Sequence, residues 1–87
     1  KRNSLKINKI GRKNIYCTIG LKRVSNVNIS VYKVDGRKIY ETNHKNLSYG
    51  YHDFDIDLRN EMKNEVFFIK VKINDMETLS KKFIIIK

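Results

Sequence analysis

The sequence has no proline, a single cysteine, four glycines and, in residues 1–40, a single acid. Each shortage excludes something. Without proline, no predicted strand contains a residue barred from a sheet ladder. One thiol, Cys17, excludes an internal disulfide framework and a thiolate metal cluster. It shares the parity of Ile15 and Ile19, which marks it as a buried structural thiol. The glycines stand singly among turns and a strand edge, so no glycine-rich phosphate loop is present. No uninterrupted apolar run is longer than Phe83 to Ile86. A membrane-crossing helix needs about 20 such residues. No signal-peptide pattern is visible.

What is present is 87 residues, room for one domain, with 40% hydrophobic and 32% charged residues. A domain of this size hides only about 60–65% of its unfolded surface. A chain opening on Lys1 rather than Met reads as a piece of a larger protein. The net charge of +10 sits in one half. Residues 1–40 hold 11 Lys or Arg against Asp35 alone, whereas residues 41–87 hold 8 basic and 8 acidic residues. Such a half attracts nucleic acid, anionic lipid or acidic polysaccharide, or is simply a solvated lysine-rich surface.

Apolar alternation at period two, the signature of a half-buried strand, runs through the chain. It is clearest at the end, where Phe67, Ile69, Val71 and Ile73 share one side, with Val66, Phe68, Lys70 and Lys72 on the other. After the turn Asn74-Asp75-Met76, Leu79, Lys81, Phe83 and Ile85 alternate with Ser80, Lys82, Ile84 and Ile86. Earlier strands are predicted at Ser4–Ile10, Ile15–Leu21, Val27–Tyr32, Arg37–Thr42 and Asp53–Leu58. Asp35-Gly36 is the strongest turn signal, with Asp35 bonding its own backbone. Lys22–Asn26, Asn43–Gly50 and Arg59–Asn64 read as polar connections. Seven short strands with no helical period predict an all-β fold, a seven-stranded antiparallel immunoglobulin-like β-sandwich.

Chemistry-bearing residues are few. Asp53, Asp55 and Asp57 alternate on one strand face and offer oxygen ligands to Ca²⁺. Positions two apart on a strand lie about 7 Å apart, however, which suits a solvent-facing acid row balancing neighbouring lysines better than one ion site. His44 and His52 have no HxH, HxxE or Ser/His/Asp pattern around them, so no catalytic residue, metal site or cofactor is assigned. Tyr16, Tyr32, Tyr40, Tyr49 and Tyr51 could stack on bases or sugars. The aromatic submotif of RNA-recognition sheets is missing, which disfavours nucleic acid.

The order of these motifs carries a resemblance over Asn14–Lys87. Val27-Asn28-Ile29-Ser30-Val31-Tyr32-Lys33-Val34-Asp35-Gly36-Arg37-Lys38-Ile39 resembles the strand–turn–strand hairpin of the C-terminal sorting domains of type IX secretion cargo. It is also similar to the immunoglobulin-like domain of flagellar hook-capping proteins. Leu47-Ser48-Tyr49-Gly50-Tyr51-His52 resembles their glycine bend, and Asp55-Ile56-Asp57-Leu58 the strand after it. Val66-Phe67-Phe68-Ile69-Lys70-Val71 resembles the penultimate strand, and Lys81-Lys82-Phe83-Ile84-Ile85-Ile86-Lys87 the closing one. The Asn-Pro that usually opens the sorting domain is absent, and Asn64-Glu65-Val66-Phe67 stands in place of a Gly-x-Tyr bend.

The resemblance implies that residues 1–87 form one sandwich domain, the non-catalytic C-terminal module of a larger exported protein, secreted or held at the cell surface. Its implied partner is the outer-membrane secretion machinery or the parent protein's catalytic domain. The residues implied in recognition are Lys81, Lys82, Phe83, Ile85 and Lys87, with Asp35, Gly36 and Arg37 forming the hairpin turn. Two other readings stand beside it: an accessory binding or spacer module of a secreted enzyme, facing a glycan, cell wall or protein, and a basic nucleic-acid-binding sheet. Exposed edge strands carrying Phe and Ile also permit a strand-swapped dimer.

Overall fold

The structure, a computed structural model, describes residues 2–58 and 64–86. Seven strands follow one another: β1 (Ser4–Ile10), β2 (Asn14–Leu21), β3 (Ser25–Lys33), β4 (Lys38–Leu47), β5 (Gly50–Asp57), β6 (Glu65–Ile73) and β7 (Glu77–Ile85). Every pairing is antiparallel. The strands form a three-stranded sheet, β1-β2-β5, and a four-stranded sheet, β4-β3-β6-β7. No helix occurs among the described residues. This is the expected all-β, immunoglobulin-like sandwich.

Period-two alternation drives the closure. Ile15, Cys17 and Ile19 of β2 and Ile56 of β5 are buried in one core with Ile29, Val31, Phe67, Ile69 and Val71 of the other sheet. An antiparallel sheet with one covered face needs this pattern, and β-branched residues fit its pleat. The hairpin turns follow their residue types. Gly36 takes φ +92°, and the Arg37 N–H donates to Asp35 Oδ1 at 2.9 Å, as Asp35-Gly36-Arg37 foretold. Asn74 and Asp75 adopt φ of 53° and 55°, and the Met76 N–H donates to the Ile73 carbonyl at 3.0 Å. Two successive left-handed residues make a bend of the type I′ kind, with Met76 as the third residue before β7.

One connection is corrected. Asn43–Gly50, expected as a polar loop, is mostly strand: β4 runs on to Leu47 and β5 begins at Gly50, leaving only Ser48 and Tyr49 between them. β4 is an edge strand paired with β3 alone. Its inward residues Tyr40, Thr42 and His44 are only half buried, so polar side chains suffice there and the apolar signal fades. Likewise, Ser25 and Asn26, expected in a loop, belong to β3. Of the connection expected over Arg59–Asn64, all but Asn64 lies outside the described residues.

The domain measures 37 × 23 × 19 Å. β1 and β7 lie side by side across the two sheets. Their starting ends are tied by Asn3, whose amide donates to Glu77 Oε1 at 2.7 Å. At the far end, Lys9 and Ile10 line one cleft with Ile85 and Ile86. The chain therefore begins at one pole of the sandwich, and its last strand ends at the other.

Candidate recognition surface on the closing strand

Among the described residues β7 pairs with β6 alone, so its other edge carries no sheet partner there. The register sets Lys81 opposite Ile69, Lys82 opposite Phe68, Phe83 opposite Phe67 and Ile84 opposite Val66. Of the residues implied in recognition, Lys81 and Lys82 are exposed, whereas Phe83 and Ile85 are only 5% and 3% exposed. The Phe83 ring stacks on Phe67, with centroids 5.4 Å apart and planes 13° from parallel. Phe83 and Ile85 are thus buried supports of the strand, Lys82 stands on the outer face, and Lys81 is exposed although it shares the inner parity of Phe83. Lys87 lies outside the described residues.

The outer face of the four-stranded sheet holds a group that period-two reading passed over. Here Lys38, Tyr32, Phe68 and Lys82 form one row across β4, β3, β6 and β7. Val66 and Ile84 follow as the next row, and Ile84 is 52% exposed. Lys70 places its Nζ 4.9 Å from the centre of the Tyr32 ring, and Lys38 reaches 5.9 Å from it. Lys38 also bonds Glu41 at 3.1 Å. That bond raises the Lys38 ammonium above its ordinary pKa. The Glu41 carboxyl is held below the usual range, first by the Asn28 amide and then by Lys38. The available signal was that Val66–Ile69 and Phe83–Ile86 are apolar at both parities.

The other candidates resolve into structure. Asp53 accepts from Thr18 Oγ1 at 2.6 Å, Thr18 accepts from Asn8 Nδ2 at 2.6 Å, and Asp55 accepts from Asn14 Nδ2 at 2.6 Å. Asp53 and Asp55 thus bond hydroxyl and amide groups of β2, where lysines had been expected. Among the described residues no group of three His, Cys, Asp or Glu is placed to hold a metal. The His44 ring packs on Phe54 with centroids 4.9 Å apart, and His52 Nε2 donates to the Ser48 carbonyl at 2.8 Å. Cys17 is fully buried, and that burial, with the nearby Asp53 charge, pushes its thiol up to about 11.

The five tyrosines do not share a platform. Tyr16 and Tyr51 lie on the outer face of the three-stranded sheet, opposite Asp55 and Gly20, and Tyr49 lies in the turn before β5. Tyr32 stands on the other sheet's outer face, and Tyr40 packs against the core. Tyr51 has a structural duty at Gly20, where an added Cβ would come within 2.9 Å of its ring and 2.5 Å of Ser4 Oγ.

Fold and surface define an immunoglobulin-like sandwich whose distinctive feature is the face and edge of its closing strand. Comparison with known families is specific. The model of the "Secretion system C-terminal sorting domain" family matches residues 12–87, and the chain belongs to that family. Members are sorting domains of type IX secretion, so the protein is an exported one, secreted or held at the cell surface. Among solved structures the chain is similar to the sensor domain of the anti-sigma factor RsgI4 of Pseudobacteroides cellulosolvens. The TM-score is 0.58 at 10% identity, covering 97% of this chain and 94% of that one. That likeness shows the fold alone. No curated protein matches the chain significantly.

Proposed function

We propose that this domain is the C-terminal module of a larger exported protein and serves as its address, directing the parent to the cell surface through the type IX secretion system. The observation that carries the reading is the family match over residues 12–87. The geometry supports it. Anything joined ahead of β1 leaves from the pole of the β6–β7 turn, where Asn3 meets Glu77. The end of β7 occupies the opposite pole, clear of a parent domain, with Lys81 and Lys82 exposed along an unpaired edge. Recognition by the outer-membrane machinery uses these lysines, while Phe83 and Ile85 hold the strand in place. The module itself performs no chemistry; catalysis belongs to the parent.

The test is export of the parent protein from its own cells. Removal of residues 77–87 is expected to leave it inside the outer membrane, and Lys81→Glu with Lys82→Glu is expected to cut export while the domain stays folded. Normal export without residues 77–87 would end this reading.

A further inference from the structure

At the closing pole the outer face of β6 and β7 carries apolar residues where a sheet covered on one side calls for polar ones. An antiparallel sheet covered on one side alternates apolar inward and polar outward, whereas a strand apolar at both parities is normally covered on both faces. Thr78, Ser80, Lys70 and Lys72 keep the rule on the starting half of the outer face. On the closing half, Val66 and Phe68 of β6 stand in register with Ile84 and Lys82 of β7, and Tyr32 of β3 adjoins Phe68. β6 and β7 both break the pattern in the Val66–Ile84 row, and Phe68 of the next row adjoins Tyr32 of β3, so the apolar residues form one patch rather than scattered exceptions.

We infer that this patch, Val66, Phe68, Ile84 and Tyr32 with Lys70 and Lys82 at its rim, is the surface that the export machinery holds, and that its partner there is a protein surface with an apolar centre and a carboxylate rim. The inference rests on the proposed function and adds to it the face and the chemistry of the partner. Charge selects the occupant. Lys82 flanks Phe68 on β7, and Lys70 and Lys38 flank Tyr32. Of the nearby acids, Glu41 is engaged by Lys38, and Glu65 turns to the inner side, where Lys33 lies 3.5 Å away. Among the described residues the rim facing outward is therefore cationic. A second copy would set lysine against lysine in a chain of net charge +10, so the patch does not suit self-association. Aromatic and aliphatic groups inside a charged rim are the usual arrangement of a protein interface.

The experiment follows export of the full parent protein carrying Val66→Thr with Ile84→Thr, beside Thr78→Gln on the same face and the version lacking residues 77–87. Export is expected to fall at least tenfold in the double variant, to stay normal in Thr78→Gln, and to return with Ile84→Val alone. Protease resistance of the domain within the retained protein shows that the double variant still folds. Normal export of the double variant, when the truncated version is retained, overturns the inference and leaves the proposed function standing. Normal export of the truncated version overturns both. Two further results would give the patch a different occupant and overturn the inference: a dimer of the purified parent protein that Ile84→Thr dissociates, or flotation with phosphatidylglycerol–phosphatidylcholine vesicles that the double variant loses.

Discussion

The Asn3 side chain is bonded on both sides: its amide donates to Glu77 Oε1 at 2.7 Å, and its oxygen accepts the Lys22 N–H at 2.8 Å. One buried side chain thus joins the start of the first strand, the β2–β3 connection and the start of the last strand. Since β1 and β7 belong to different sheets, this bridge also closes the sandwich along one side.

Asn3→Ala leaves the Lys22 N–H without its acceptor and Glu77 without its donor. A loss of about 1–3 kcal/mol is expected, read by denaturant unfolding. Asn3→Asp is expected to cost more, because a carboxylate then faces Glu77.

Residues on β7 are expected to separate into two behaviours. Phe83→Ala empties a position stacked on Phe67 and costs about 3–5 kcal/mol. Lys81→Glu and Lys82→Glu are exposed changes and stay within about 0.5 kcal/mol of the parent. Both kinds are expected to lower export, but only Phe83→Ala lowers the unfolding midpoint. Equal destabilisation by all three would mean that the lysines act through stability.

Gly20 is the one strand position where close approach demands glycine. Gly20→Ala drives a methyl into Ser4 Oγ and the Tyr51 ring at 2.5 and 2.9 Å. Destabilisation by about 1–3 kcal/mol is expected, and Gly20→Ala combined with Tyr51→Ala is expected to recover part of it. Tyr51 is 80% exposed, so its ring has room to move while the Ser4 side of the site stays crowded.

Cys17 gives a pH signature. Its folded pKa of about 11 lies above the ordinary 9.0. Below the unfolded value both states hold the proton and stability does not depend on it. Between pH 9 and about 11 only the unfolded thiol ionises, which favours unfolding, so stability falls as pH rises through that window. Cys17→Ala removes this component, measured as the difference between the two proteins' unfolding free energies across the window. In the native protein a thiol reagent at neutral pH is expected to label Cys17 only after unfolding.

Where the apolar alternation is strong, the strands were legible. Ile15, Cys17 and Ile19, or Phe67, Ile69 and Val71, announce both the element and its buried face. β4 was legible only to Thr42, because an edge strand whose inner residues are Thr42 and His44 lacks the apolar signal. The partners of Asp53 and Asp55 were hidden for another reason. Thr18 and Asn14 meet them only because β2 pairs with β5, an order in space that local pattern does not state. The bond from Asn3 to Glu77 is long-range in the same sense. The outer patch was present in the letters, as apolar runs without alternation at Val66–Ile69 and Phe83–Ile86. A rule that looks for one apolar face assigns Phe67, Phe83 and Ile85 to the core and leaves Val66, Phe68 and Ile84 unexplained. Only the register between β6 and β7 shows that those three lie together.

The most direct measurement joins residues 1–87 to the C-terminus of a periplasmic reporter, in a cell that makes the parent protein, and determines where the reporter goes. The account predicts that it crosses the outer membrane and reaches the cell surface or medium, and that removing residues 77–87 keeps it inside. A folded fusion that stays in the periplasm, with β7 intact and the parent protein exported normally beside it, would contradict the account.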